Sequence, residues 1–214
     1  MLIIGGTGKI GRELVKHFSE KENVIFTYFS NEFLAKKLEK ETGTRGIFLD
    51  VTQPDDSFLK NIRSNNIKRV IFSSGKLVET SNFDFNYIDN ILRVNLVGPI
   101  YLAEKFISIG VSKLLFLTDI NGIVPYSKYW LNSISSAGIL MLIKTLTKRH
   151  SPAVIVNGLA INAIDEPFAG YASKLPMKRL PQIEEILKIV DFLMYDNSYI
   201  TGQIFLMDGG RTLI

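Results

Sequence analysis

The sequence predicts an α/β fold: one doubly wound parallel sheet of seven strands in the order 3-2-1-4-5-6-7, with helices on both faces. Three observations carry this. An apolar run, Leu2-Ile3-Ile4, breaks at Gly5, Gly8 and Gly11 and resumes at helical spacing through Ile10, Leu14 and Phe18. Seven short apolar segments then alternate with segments of helical period, and right-handed crossovers turn that alternation into a parallel sheet covered on both sides. No Pro/Gly/Ser-rich or charged linker divides the 214 residues, so 1–214 reads as a single domain.

The first βα turn has a consequence beyond topology. Glycines three apart let the backbone turn sharply, approach a ligand closely and pack the helix on the strand, and the helix N-terminal amides then face an anion, usually a nucleotide pyrophosphate. Gly5, Thr7, Gly8, Lys9, Ile10 and Gly11 are the candidate cofactor residues there. The same pattern also serves as a plain strand-to-helix turn.

The elements follow in order. The first helix spans about Lys9 to Glu20. Asn23 to Phe29 is a β-rich strand, and Asn31 to Thr42 has helical spacing through Phe33, Leu34 and Leu38. Gly46 to Asp50 is the third strand. Thr52-Gln53-Pro54-Asp55-Asp56 opens a helix with a capping residue, an early proline and acids in the first turn. Lys68 to Ser73 is the fourth strand, and Asp84 to Ile109 reads as one long helix. Lys113 to Thr118 is the fifth strand, Lys128 to His150 a second long helix, and Ala153 to Leu159 the sixth strand. An irregular stretch, Ala163 to Leu180, precedes a helix from Pro181 to Tyr195 and a last strand, Gln203 to Met207.

Composition narrows the chemistry. The net charge of +4 comes from Lys and Arg scattered among acids, without the basic block of a nucleic-acid groove. With no cysteine there is no disulfide, thiol nucleophile or thiolate metal site. His17 and His150 lack metal-ligand spacing and are expected on helix surfaces, so no metal site is expected. No apolar run approaches the ~18 residues of a membrane span. The first strand begins at residue 2, and a cytoplasmic location without membrane contact is the expectation.

Several landmarks in sequence order resemble the classical short-chain dehydrogenase/reductase family, in particular its 3-oxoacyl-carrier-protein reductase-like members. The glycine turn comes first. Asp50-Val51-Thr52 follows the third strand where the family places its adenine contact, and Asn95 in Arg93-Val94-Asn95-Leu96 matches the family's helix asparagine. Tyr199-Ile200-Thr201-Gly202-Gln203 and Met207-Asp208-Gly209-Gly210 are similar to its closing strand and flanks. The resemblance implies a Rossmann-type fold, a dinucleotide at the carboxyl ends of the strands, and an oligomer built on the two long helices.

The catalytic positions depart from that family. Asp119 stands at the serine's place, three residues before Gly122; Asn132 stands at the tyrosine's place, and Ser136 at the lysine's. Asn95, Asp119, Asn132 and Ser136 are therefore the candidate catalytic positions, with Tyr129 a substitute proton donor if the helix is shifted. Hydride transfer to a carbonyl needs a proton at the oxygen, and losing a general acid alone costs ~10²- to 10⁴-fold. Cofactor positions are altered too. Ser73-Ser74-Gly75-Lys76 replaces the family's two asparagines, alanine and glycine, leaving Ser74 and Gly75 as contacts; Ile161-Asn162 and Glu166 replace its Pro-Gly and threonine. Asp50 and Val51 keep the adenine side. Strand two ends in Tyr28-Phe29-Ser30-Asn31 without the acid that binds a ribose 2′-hydroxyl, while Lys9 and Ser30 suit a 2′-phosphate. NADP(H) is thus the expected dinucleotide, with loss of dinucleotide binding the open alternative.

Two functions follow. One is a silent or regulatory subunit that pairs with an active homologue or pathway partner. The other is an enzyme with rewired chemistry, an oxidoreductase or a non-redox catalyst using Asp119 on a small carbonyl or acyl ligand. In either case the surplus of apolar residues on Lys128 to His150 predicts a homodimer, homotetramer or hetero-oligomer, with Trp130, Leu131 and Ile134 near the contact.

Overall fold

Leu2 and Ile4 point to one side of the first strand and Ile3 to the other, and all three are fully buried, as a strand covered on both faces requires. The computed structural model describes residues 1–79, 84–164 and 169–213. Its strands are β1 (Leu2–Ile4), β2 (Ile25–Tyr28), β3 (Arg45–Phe48), β4 (Arg69–Phe72), β5 (Lys113–Asp119), β6 (Ile155–Ile161) and β7 (Ile204–Met207). They form one parallel sheet in the order β3-β2-β1-β4-β5-β6-β7. The expected strand order is the observed one.

The helices are α1 (Lys9–Ser19), α2 (Glu32–Thr42), α3 (Asp56–Ser64), α4 (Phe85–Leu92), α5 (Gly98–Ser108), α6 (Trp130–His150), α7 (Ala169–Ala172) and α8 (Ile183–Asp191). Leu14 and Phe18 of α1, Leu38 of α2 and Ile186 and Val190 of α8 pack on the face carrying Ile3, Phe26, Ile71 and Leu115. Phe58 and Ile62 of α3, Leu102 and Phe106 of α5, and Ile139, Ile143 and Leu146 of α6 cover the opposite face, over Leu2, Val70, Phe72, Leu114 and Phe116. The crossovers change sides between β3 and β4, so the strand ends diverge above β1 and β4 and leave a crevice there.

Several ends have identifiable causes. The Asn31 side chain accepts from Leu34 N at 2.9 Å to start α2, and Gly43, at φ 67°, ends it. Asp55 caps α3 by accepting from Phe58 N at 2.7 Å, so Pro54 stands before the cap rather than in the first turn. Glu185 accepts from Gln182 N and is gripped by Arg179 at the start of α8. That Arg179 contact, with the Gln182 amide, pulls the Glu185 carboxyl down to about 2.

The path from Asp84 to Ile109 is not the uniform helix the apolar spacing predicts. Between α4 and α5 it widens into a π-turn, Arg93–Val97, in which Gly98 N reaches back five residues to Arg93 O. Pro99 explains it: with no N–H it cannot donate to Asn95 O, and its ring crowds that carbonyl. The helix predicted from Lys128 likewise begins with a 3₁₀ turn, Ser127–Tyr129, and becomes α-helical at Trp130. Strand six runs two residues further than expected, because Ala160 and Ile161 still pair with Leu206 and Met207. Among the described residues no helix is long and apolar enough to cross a membrane.

Candidate functional site

Beside that crevice, at the carboxyl ends of β4, β5 and β6, lies a cavity of about 350 Å³. Phe72 and Phe116, neighbours in the sheet, stack with centroids 4.5 Å apart and an interplanar angle of 6°, giving it an apolar floor. Around them stand polar groups brought from distant parts of the chain: Ser74, Asn95, Asp119, Asn132, Ser136 and Arg211. Ile10, from the glycine turn, closes the side toward β1.

The glycine turn is held in a shape that only glycine tolerates. Gly5 has φ 84°, and a Cβ there would meet the Ser74 backbone at 2.8 Å; a Cβ at Gly11 would lie 2.1 Å from Gly5 O. Thr27 of β2 fixes the turn from below, accepting from Gly5 N through Oγ1 at 3.0 Å and from Gly6 N through its carbonyl at 2.8 Å. The Ser74 backbone faces this turn, and its Oγ is buried without a hydrogen-bond partner among the described residues. A cradle that a side chain would fill, beside an orphaned hydroxyl, fits a dinucleotide phosphate or ribose group. Asp50 Oδ1 accepts from Thr52 N at 2.8 Å and Thr52 Oγ1 at 2.7 Å, shaping the turn after β3 in which Val51 lies. Ser30 follows β2 on the exposed surface. Lys9 instead lines a second, smaller cleft with Arg12, Glu13, Ile164, Pro181, Ile183 and Ile186, none of them from β2 or the turn after it. Glu166 lies outside the described residues.

Asn95, projecting from the π-turn, clamps the loop after β4: its Oδ1 accepts from Lys76 N at 2.8 Å and its Nδ2 donates to Lys76 O at 2.9 Å. Asn132 on α6 grips the same loop, its Nδ2 donating to Lys76 O and its Oδ1 accepting from Val78 N at 3.1 Å. Both polar atoms of Asn132 are thus committed to the loop. Ser136, one turn along α6, is buried at the cavity wall. Tyr129 lines the cavity from the 3₁₀ turn, its ring 5.6 Å from that of Tyr126. Four residues on, Ser133 is buried and donates to Tyr129 O at 3.3 Å, so no cation stands beside Tyr129 from that position.

Asp119 ends β5 and caps the turn Ile120–Gly122, accepting from Asn121 N at 2.7 Å. Burial pushes its carboxyl above the ordinary range, partly offset by that amide and by the Arg211 guanidinium. Arg211 is the residue sequence reading missed. The chain after β7 turns back through Gly209 and Gly210, at φ 62° and 86°, while Asp208 accepts from Gly210 N and Thr212 N. This carries Arg211 over the cavity, where it donates to Asn121 Oδ1 at 2.8 Å and Val124 O at 3.2 Å. Its signal was present in the Asp208-Gly209-Gly210 turn immediately before it. Tyr126, Asn121 and Tyr171 line the cavity too, and they come from a loop, a single 3₁₀ turn and the four-residue α7, all too short to carry a periodic pattern.

A family model described as enoyl-(acyl carrier protein) reductase matches residues 7–212. The chain belongs to the classical short-chain dehydrogenase/reductase family. Among curated members, a tropinone reductase homolog of Arabidopsis thaliana is 27% identical, covering 100% of this chain and 91% of its own. The cyclic-di-GMP-binding biofilm dispersal mediator protein of Escherichia coli is 25% identical, over 98% and 95% of the two chains. Among solved structures, BdcA in complex with NADPH superposes with a TM-score of 0.88 at 23% identity, over 98% of this chain and 92% of that one. FolM alternative dihydrofolate reductase 1 of Brucella suis in complex with NADP gives 0.89 at 19%, over 100% and 95%. Asp119, Asn132 and Ser136, three of the candidate catalytic positions expected from the sequence, all line this one cavity.

Proposed function

We propose that this short-chain dehydrogenase/reductase binds NADP(H) but does not perform the family's ordinary carbonyl reduction, and that it acts as a silent or regulatory subunit. The carrying observation is the state of Asn132. The tyrosine of an active member serves as acid because a neighbouring lysine ammonium and the nicotinamide charge lower its pKa. Here the residue at that place spends both amide atoms on Lys76 and Val78, and Ser136 brings no charge. Reduction without that proton donor is slower by ~10²- to 10⁴-fold.

Dinucleotide binding is supported by the glycine cradle, the orphaned Ser74 Oγ and the NADP(H) complexes of BdcA and FolM. Gly5, Thr7, Gly8, Ile10 and Gly11 would hold the pyrophosphate, Asp50 and Val51 the adenine, and Ser74 and Gly75 the nicotinamide side. When bound, the dinucleotide supplies or accepts a hydride. The turn after β2 carries Ser30 and no acid, which favours the 2′-phosphate form; Lys9, in the second cleft with Arg12, contributes positive charge to the region beside the first helical turn. A regulatory role agrees with a relative whose name describes ligand binding rather than reduction.

Pairing through α5 and α6 is part of the same proposal. Val97 (49% exposed), Ile134 (52%) and Met141 (60%) present apolar side chains there, with Ile100 and Tyr101 beside them. Leu131, expected at that contact, is only 1% exposed and packs inside the subunit. A homodimer or homotetramer would cover the patch, and so would an active homologue.

A second reading keeps catalysis and assigns it to Asp119, whose raised pKa and place on the cavity wall suit acid or base work on a carbonyl ligand. Assay with NADPH and simple β-ketoacyl thioesters separates the two readings from ordinary reduction. Saturable NADPH binding with no substrate-dependent oxidation is expected. Turnover abolished by Asp119→Asn would favour the second reading.

A further inference from the structure

We infer that the cavity takes a small planar carboxylic acid, its carboxylate on Arg211 and its body against Tyr126, Tyr129 and Tyr171. This deepens the reading above by naming the ligand class of the same cavity. Arg211 arrives from the turn after β7 and is oriented by two neutral acceptors, Asn121 Oδ1 at 2.8 Å and Val124 O at 3.2 Å, with its guanidinium 5.6 Å from the centroid of the Tyr171 ring. A guanidinium carries five N–H donors. Those not used by Asn121 and Val124 have no acceptor among the described residues, and no described carboxylate forms an ion pair with Arg211. A fixed, half-buried cation on a cavity wall whose hydrogen bonds among the described residues go only to neutral acceptors is matched by a carboxylate, whose two oxygens fit the planar fork.

A phosphate fits less well. Asp119 lies on the same wall, close enough to Arg211 for its titration to feel the guanidinium, and a dianion would face that carboxyl directly. A monoanion meets that carboxyl with half the charge. The only other cationic side chain lining the cavity among the described residues is Lys76, which is exposed. The three tyrosine rings supply flat apolar faces, with Tyr126 and Tyr129 5.6 Å apart and inclined at 50°. Such walls favour an aromatic or conjugated body, and about 350 Å³ accommodates one.

The test is calorimetric titration with trans-cinnamate and with trans-cinnamamide, which has the same shape and no charge, on the full chain. Cinnamate is expected to bind roughly tenfold or more tighter than the amide. Arg211→Gln should remove that preference and leave amide binding unchanged, whereas Lys76→Gln should preserve it. Equal binding of acid and amide, binding of neither, or a preference that survives Arg211→Gln each overturns the inference. Should Arg211→Gln fail to fold, Arg211→Lys keeps the charge but loses the fork; acid affinity equal to wild type in that variant also overturns it. NADPH titration of the same samples separates the two claims. An acid preference without NADPH binding removes the nucleotide reading alone, and NADPH binding without an acid preference removes this inference alone.

Discussion

Burial raises the Asp119 carboxyl above its ordinary value of 3.8, so the folded chain holds that proton more tightly than the unfolded chain does. Between 3.8 and the raised folded value the native state binds more protons, and stability therefore falls as pH rises through that window and stays lower above it. Asp119→Asn keeps an acceptor for Asn121 N and removes the buried charge. The variant is expected to melt higher than wild type at pH 7, by about 2–4 °C for each kcal/mol recovered. The difference should vanish below pH 3.8, and a variant that is less stable at pH 7 would contradict the assigned burial effect. At Gly11 the constraint is steric. Even alanine places a methyl 2.1 Å from Gly5 O, so Gly11→Ala is expected to cost ~1–3 kcal/mol in denaturant melts and to lose NADPH binding. Gly11 was legible in the sequence because backbone crowding there is set by local spacing. Arg211 was not, because its meeting with Asn121, 90 positions earlier, depends on where β7 lies in the sheet.

The loop after β4 is the element that the candidate site residues Asn95 and Asn132 share. Asn95 from the π-turn and Asn132 from α6 hold it at Lys76, and Asn132 also accepts from Val78 N. Asn132→Ala should accelerate amide exchange at Val78 tenfold or more while Lys76, still bonded to Asn95 Oδ1, changes little. Equal protection of Val78 in both proteins would show that Asn132 is not a clamp. Apolar periodicity located α6 and most strands, but it smoothed over the π-turn that presents Asn95. The signal lay in Gly98-Pro99, where a missing N–H outweighs the apolar repeat that continues through Leu96.

At the scale of the molecule, strand order followed from the sequence because right-handed crossovers leave one doubly wound arrangement through β6. The step from β6 to β7 passes through α8 on the α1 face, opposite α5 and α6, and so has the other hand, which the sequence pattern did not show. For the proposed assembly, the sequence offers only a surplus of apolar residues on α6. Packing assigned Leu131 to the subunit interior and left Ile134 and Met141 outside. Joint replacement Ile134→Glu and Met141→Glu is expected to turn an oligomer into a folded monomer in sedimentation velocity, and an unchanged sedimentation coefficient would place the contact elsewhere. In the proposed function a nucleotide site persists where the reductase proton donor does not. The fluorescence of protein-bound NADPH, followed after adding an acetoacetyl thioester, tests this most directly. A saturable rise with NADPH and no substrate-dependent decay are expected. A decay through many turnovers, or no rise at any NADPH concentration, would contradict it.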